Sequence, residues 1–122
     1  MLIPFLVSKI HRATVTEVNP DYPGSISIDE DLMKEAGFRE FQKVEVYNIS
    51  SGQRFNTYLV AAQAGTGHII LNGAATHPVK KGDRINISAY ALLDERELNS
   101  LNSVIVSMKE DNKIEKILTG KL

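Results

Sequence analysis

Apolar residues recur mainly at every second position, in short runs separated by Gly, Pro and Asn breaks. A period of two marks strands with one face buried. Residues 5–18 are rich in β-branched side chains and read as one long strand or a bent pair. Alternation puts Lys9 and His11 on one face and Ile10 on the other. Pro20 then ends the ladder. Residues 25–28 form a short alternating strand. Asp29 is placed to cap a helix through Leu32, Met33, Glu35 and Ala36, with Glu30 and Asp31 at its positive end and Gly37 as its stop.

Residues 43–49 and 54–62 read as a hairpin around Ser50-Ser51-Gly52-Gln53. Gly65-Thr66-Gly67 is a loop, residues 68–71 a strand and Asn72-Gly73 a turn. Lys80-Lys81-Gly82-Asp83 precedes a strand over 84–91. Residues 94–101 read as a second helix, and 103–108 with 114–118 as a last hairpin around Glu110-Asp111-Asn112. Many short strands, frequent turns and two short helices predict a mainly β chain folded as a closed or nearly closed barrel. No internal repeat or linker divides it, so residues 1–122 are read as one domain.

With 122 residues, such a domain buries roughly 60–70% of its unfolded surface. That permits a core but not a deep private cleft, so an active site would borrow walls from a neighbouring subunit. Net charge is −1, which leaves no basic excess to neutralise phosphates and argues against nucleic acid as a partner. Cysteine is absent, which removes disulfides, thiol nucleophiles and thiolate metal sites. Residues 1–7 are apolar but short, without preceding basic residues or a small-residue cleavage site, and are not read as a signal peptide. No run is long enough to span a membrane. These features predict a cytoplasmic protein.

The candidate chemistry starts at Tyr22-Pro23-Gly24-Ser25. Gly24 has no side chain to block attack on its carbonyl and can take backbone angles closed to other residues. The Ser25 hydroxyl follows directly. On these four residues alone, a plain Pro-Gly turn feeding a strand is the better explanation. The histidines His11, His68 and His77 have no metal-ligand spacing, and neither H-E-x-x-H nor G-x-S-x-G occurs. Arg54 and Tyr58 lie four apart and share a strand face. Arg54 offers a fork for a carboxylate, Tyr58 a phenolic proton, and Lys9 a second cation. Taken singly, each is more readily an ordinary surface or packing residue.

Read together, the pieces resemble the pyruvoyl-dependent aspartate 1-decarboxylase family. The resemblance is carried by Ser8-Lys9-Ile10-His11-Arg12-Ala13-Thr14-Val15-Thr16, by Tyr22-Pro23-Gly24-Ser25 and by Ile28-Asp29. It continues through Gly52, Arg54, Thr57-Tyr58, Ile70-Leu71-Asn72-Gly73-Ala74-Ala75, His77, Gly82-Asp83 and Ile87-Ser88-Ala89-Tyr90-Ala91. It covers nearly the whole chain in order. Departures fall at Ile3-Pro4-Phe5, over residues 36–42 and in the tail from Leu118 to Leu122, away from the matched site residues.

The resemblance implies a double-psi β-barrel with short flanking helices, assembled as a homotetramer with sites at subunit interfaces. It implies a proenzyme that cuts itself between Gly24 and Ser25, giving a β chain of residues 1–24 and an α chain of 25–122. The Ser25 hydroxyl would attack the Gly24 carbonyl, the resulting ester would eliminate to dehydroalanine, and hydrolysis would release ammonia and leave a covalent pyruvoyl group with no metal. That group would form a Schiff base with L-aspartate and accept the electrons left by CO2, yielding β-alanine for pantothenate and coenzyme A synthesis.

Tyr58 matches the family's proton donor, and Thr57 the residue tied to self-processing and substrate. Arg54 and Lys9 would bind a substrate carboxylate, Arg54 the side-chain one. Gly73, Ala74 and Ala75 would meet substrate through their backbone. Asn72 would bond near the pyruvoyl group, and His11 and Tyr22 would line the neighbourhood. Strict alternation sets Thr57 on the face opposite Arg54 and Tyr58. A bulge, a role across a subunit boundary or a role through the backbone would each reconcile this. An accessory maturation factor is left open. The competing class is a non-enzymatic β-barrel that binds DNA or a protein partner, which would make the Gly-Ser turn plain structure.

Overall fold

The computed structural model describes residues 1–120; Lys121 and Leu122, the end of the tail after Leu118, lie outside the described residues. The strands are β1 (Leu2–Thr14), β2 (Glu17–Asn19), β3 (Ser25–Asp29), β4 (Lys43–Asn48), β5 (Arg54–Ala62), β6 (Ile69–Asn72), β7 (Arg84–Asp94), β8 (Ser103–Met108) and β9 (Ile114–Gly120), with one α-helix, α1 (Glu30–Ala36). They form a single nine-stranded sheet in the order β2-β6-β3-β5-β4-β7-β1-β8-β9.

The ladder does not close on itself. The chain between β1 and β2 nevertheless ties distant parts of the sheet together. Val15 N–H donates to Asp83 C=O at 2.9 Å and Gly82 N–H to Val15 C=O at 2.8 Å, beside the start of β7. The next residue, Thr16, donates its N–H to Ile69 C=O in β6 at 2.8 Å. The sheet is thereby wrapped round one core, as in a double-psi β-barrel.

Register decides which residues fill that core. Ile87 of β7 pairs with Ile10 of β1 and Val46 of β4. Ile26 of β3 pairs with Leu59 of β5 and Leu71 of β6. All six are fully buried, and burying one such side chain is worth roughly 1.5–3 kcal/mol. A slip of one residue would turn a whole set outward, so the pattern itself pins the register. Lys9 and His11 flank Ile10 on the outer face, as alternation requires.

Some elements depart from the sequence expectation. β1 starts at Leu2 rather than Phe5, because β7 runs on to Asp94 and pairs Leu2–Leu6 with its own end. The segment expected as a helix over 94–101 is a 3₁₀ turn, Glu95–Ser100, held by a capping box between Asp94 and Glu97. Six residues are too few to carry the cost of an α-helical nucleus without a buried face. The turn expected at Asn72-Gly73 is there, as the start of a 3₁₀ turn, Gly73–Thr76; the strand after it, β7, pairs with β1 and β4.

α1 follows the expectation closely. Asp29 caps it by accepting from Asp31 N–H at 2.8 Å, and Gly37 ends it at φ 70. The same buried carboxylate accepts from Gly65 N–H at 3.1 Å and Gly67 N–H at 2.8 Å, so it also holds the β5–β6 loop. Burial disfavours its charge, but the N–H groups of Gly67, Asp31, Gly65 and Leu32 outweigh that and lower its pKa below the usual 3.8. A lowered carboxylate stabilises the fold above its unfolded pKa and loses that contribution as pH falls through the native value. Asp29→Asn should cost about 2 kcal/mol near neutral pH. It should also flatten the fall in stability below about pH 4. Urea denaturation at neutral and acid pH tests this; equal losses at both would remove Asp29 as an acid-sensitive clamp.

Candidate active site

The Gly24–Ser25 junction lies where β3 begins. Ser25 is paired with Asn72 across the β3–β6 ladder and is only 5% exposed. Asn72 Nδ2 reaches both Ser25 Oγ and Ser27 Oγ at 3.0 Å. One buried amide thus fixes the hydroxyl that would attack. Gly24 and Tyr22, by contrast, are exposed.

Gly24 does not use the conformational freedom expected of it, since it is not at positive φ. A Cβ there would come no nearer than 3.9 Å to Asn72 C=O. The glycine that the backbone demands is Gly73, at φ 64. A Cβ on Gly73 would stand 2.7 Å from Gly24 Cα, Gly24 N and Tyr22 O. Gly73 is therefore the floor on which the cut-site loop rests.

β3 runs parallel to β5 with Ile26 opposite Leu59. That register, continued, sets Ser25 level with Tyr58 and Gly24 level with Thr57. Residues 54–57 of β5 consequently have a strand neighbour only on the β4 side. A cleft of about 630 Å³ opens along this bare edge, lined by Gly24, Phe55, Asn56, Thr57, Tyr58, Ala74 and Ala75, with Lys43 and Pro78 at its limits.

Four consecutive residues of one strand reach the cleft because it runs along the strand's edge, where both faces are accessible. The opposition between Thr57 and Tyr58 needs no bulge, and the β4–β5 register is unbroken over these residues. Arg54 shares the outer face with Tyr58 but lies four residues away, about 13 Å along the strand. Its guanidinium stacks on the Tyr47 ring at 4.9 Å.

Lys9 and His11 lie elsewhere. They line a separate cleft of about 430 Å³ with Arg12, Ser107 and Lys116. β1 is four places from β3 in the sheet, about 19 Å at the usual strand spacing. Neither Lys9 nor His11 lines the cleft beside Gly24. His11 is held below the usual imidazole range by burial first, then by the charges of Lys9, Arg12 and Arg84, against an opposing hydrogen bond that its ring donates to Asn86. It is neutral near pH 7. Ion pairs among the described residues are confined to Lys34–Glu30 and Arg96–Asp94, so neither Lys9 nor Arg54 has a carboxylate partner among them. No group of acidic, His or Cys side chains that could hold a metal occurs among the described residues.

The known family described as aspartate decarboxylase matches residues 1–115. The aspartate 1-decarboxylase of Sulfurimonas denitrificans is 49% identical over 118 residues, 97% of this chain and 98% of that protein. Those of Caldicellulosiruptor saccharolyticus and Caldicellulosiruptor bescii are 51% and 53% identical over 117 and 114 residues, covering 96% and 93% of this chain and 91% and 89% of theirs.

The chain belongs to the aspartate decarboxylase family. Within that family frame, the fold brings together Gly24, Ser25, Thr57, Tyr58, Asn72, Gly73, Ala74 and Ala75, and leaves Lys9 and His11 on another cleft of the same chain. Arg54 lines neither cleft. Tyr47, which no motif marks, and Tyr90, matched in the family stretch but given no role there, meet through their hydroxyls at 3.0 Å. Alternation puts both on the polar face that carries Arg54 and Lys9.

No helix among the described residues is long and apolar enough to cross a membrane.

Proposed function

We propose that this chain is a self-processing aspartate 1-decarboxylase, a carboxy-lyase that converts L-aspartate to β-alanine and CO2. The reading is carried by one observation. The buried Ser25 hydroxyl, fixed 3.0 Å from Asn72 Nδ2, directly follows an exposed Gly24 at the mouth of a cleft lined by Thr57, Tyr58, Ala74 and Ala75. Family membership and close relatives bearing that name support it.

Self-processing needs a placed nucleophile and a donor for the carbonyl oxygen as it gains charge. Asn72 places the Ser25 hydroxyl. Thr57, level with Gly24 across the cleft, is the hydroxyl best sited to donate to the Gly24 carbonyl oxygen. Attack turns the Gly24–Ser25 amide into an ester, and elimination frees residues 1–24 as a carboxylic acid. Water then releases ammonia from residue 25 of the 25–122 chain and leaves a pyruvoyl group. The site suits that group because it is built from Ser25's own carbons, and the small residues Ala74 and Ala75 line the cleft beside it. Bound in this way, it supplies an electron sink for the leaving carboxylate.

The chain's own residues do the rest. Tyr58 returns a proton to the former α-carbon. Arg54 binds the side-chain carboxylate, since tight pairing of the leaving one would resist its loss. Backbone groups of Gly73, Ala74 and Ala75 lie close enough for substrate to pass near them. Lys9 and His11 enter from a neighbouring copy, because on their own chain they line a separate cleft. A homotetramer in the cytoplasm, with each active site shared between subunits, follows from this reading. The product would feed pantothenate synthesis as part of a biosynthetic sequence.

Intact mass under denaturing conditions tests the proposal. The expected result is two chains split after Gly24, whose summed mass exceeds the 13.5 kDa precursor by one water less one ammonia. The cut protein should release β-alanine from L-aspartate. A single chain that stays uncut after heating would sink the reading in favour of a binding module. Tyr58→Phe should be cut normally yet turn over at least about a hundredfold more slowly, the usual scale for a lost general acid. Unimpaired turnover would remove Tyr58 from that role.

A further inference from the structure

We propose that the Tyr47–Tyr90 phenol pair positions Arg54 for the substrate carboxylate, which makes Tyr90 a determinant of aspartate affinity although it never meets aspartate. The proposal rests on the carboxylate role given to Arg54 above.

Register puts the three residues in one construction. On the outer face, Tyr47 pairs with Arg54 on one side and with Asn86 on the other. Glu45 pairs with Ser88, which lies between Asn86 and Tyr90 on the same face of β7. Ser88 is small and almost fully buried, at 1% exposure, so the rows above and below it can approach. Tyr47 and Tyr90 do so, and their hydroxyls hydrogen-bond at 3.0 Å. The Tyr47 ring then lies under the Arg54 guanidinium at 4.9 Å.

Each link has a physical consequence. Arg54 has no carboxylate partner among the described residues, so without a support its long side chain would sample many rotamers. Fixing it on an aromatic face before substrate arrives lowers the entropy cost of binding. Guanidinium over a tyrosine face is an attractive arrangement in its own right. The ring can serve only if it is itself held, and the Tyr90 hydroxyl holds it. The hydrogen bond to Tyr90, followed by burial and the nearby charge of Glu45, pushes the Tyr47 phenol up to about 12. It therefore stays protonated while it supports the cation.

Such a device acts on binding and leaves the chemical step alone. The test uses the mature, self-cleaved enzyme with Tyr47→Leu, Tyr47→Phe and Tyr90→Phe, each alone and combined with Arg54→Ala. Two readouts are taken: KM against kcat for L-aspartate, and calorimetric affinity for succinate, a dicarboxylate without the amine that stays measurable where turnover is lost.

Tyr47→Leu should raise KM and weaken succinate about fivefold, with kcat within about twofold. Tyr90→Phe should give about a twofold effect of the same kind, and Tyr47→Phe, which keeps the ring, less than Tyr47→Leu. In the Arg54→Ala background none of the three should change succinate affinity further, since their effect passes through Arg54. Equal effects in both backgrounds, or none in either, would overturn the proposal while leaving the Arg54 role intact. If Arg54→Ala alone leaves succinate affinity unchanged, the carboxylate role itself falls and this proposal with it. Complete cleavage by intact mass shows that each variant has folded, and Tyr90→Phe carries the test should Tyr47→Leu fail to.

Discussion

Ser25→Ala should remain one uncut chain of about 13.5 kDa with no decarboxylase activity. The substitution removes the only atom that can attack the Gly24 carbonyl and the only source of the carbonyl group that follows. The expected loss is complete, unlike that from a residue that merely assists. The fold should survive, since Ser25 Oγ donates no buried bond that the backbone needs and the Ser25–Asn72 ladder pairing persists. The Asn72 amide keeps Ser27 Oγ as a partner, so stability should change by about 1 kcal/mol or less. Intact mass, urea denaturation and an aspartate assay on one sample check all three points. A normally cleaved Ser25→Ala chain would refute the self-processing scheme.

Gly73→Ala should be almost as damaging, for a different reason. Three backbone atoms stand 2.7 Å from the new methyl group, and none belongs to a flexible side-chain tip that could turn away. The residue is also held at φ 64, where a Cβ adds strain of its own. The two costs together come to about 3 kcal/mol. Relief would come from pushing the exposed Tyr22–Gly24 loop outward, which carries the Gly24 carbonyl away from the Ser25 hydroxyl. The variant should therefore be less stable and cut slowly or not at all. Time-resolved mass spectrometry with thermal denaturation separates the two effects. Gly24→Ala is the internal contrast: its nearest neighbour would be 3.9 Å away, so it should fold normally. Wild-type cleavage in Gly73→Ala would show that the loop does not rest on this glycine.

The core was legible because it depends on a local rule. Ile10, Ile26, Ile28, Val44 and Val46 alternate with polar neighbours, and alternation alone assigns them to the buried side. The α1 boundaries were legible for the same reason: a capping Asp29 and a stop at Gly37 act within a turn of the residues they serve. Helix type at 95–100 was less so, because a capping box marks where a helical turn begins and says nothing about whether a buried face will extend it.

The site divides along the same line. Gly24-Ser25, Thr57-Tyr58 and Asn72-Gly73-Ala74-Ala75 could be read from the chain as motifs. The chain alone left Thr57 and Tyr58 on opposite faces, and it assigned to Gly24 a backbone role that Gly73 fills. Only the tertiary structure shows that β3 starts late against β5. That offset leaves residues 54–57 with a bare edge, and an edge gives access to both faces at once. Only the tertiary structure, too, separates Lys9 from Ser25 and sets Tyr47 between Arg54 and Tyr90. Strand order and register are global properties, fixed by which strands bury which faces together, so contacts between residues 40 to 50 positions apart leave no local trace. The sequence determined the buried faces, the caps and the chemical groups available; packing decided which of those groups meet.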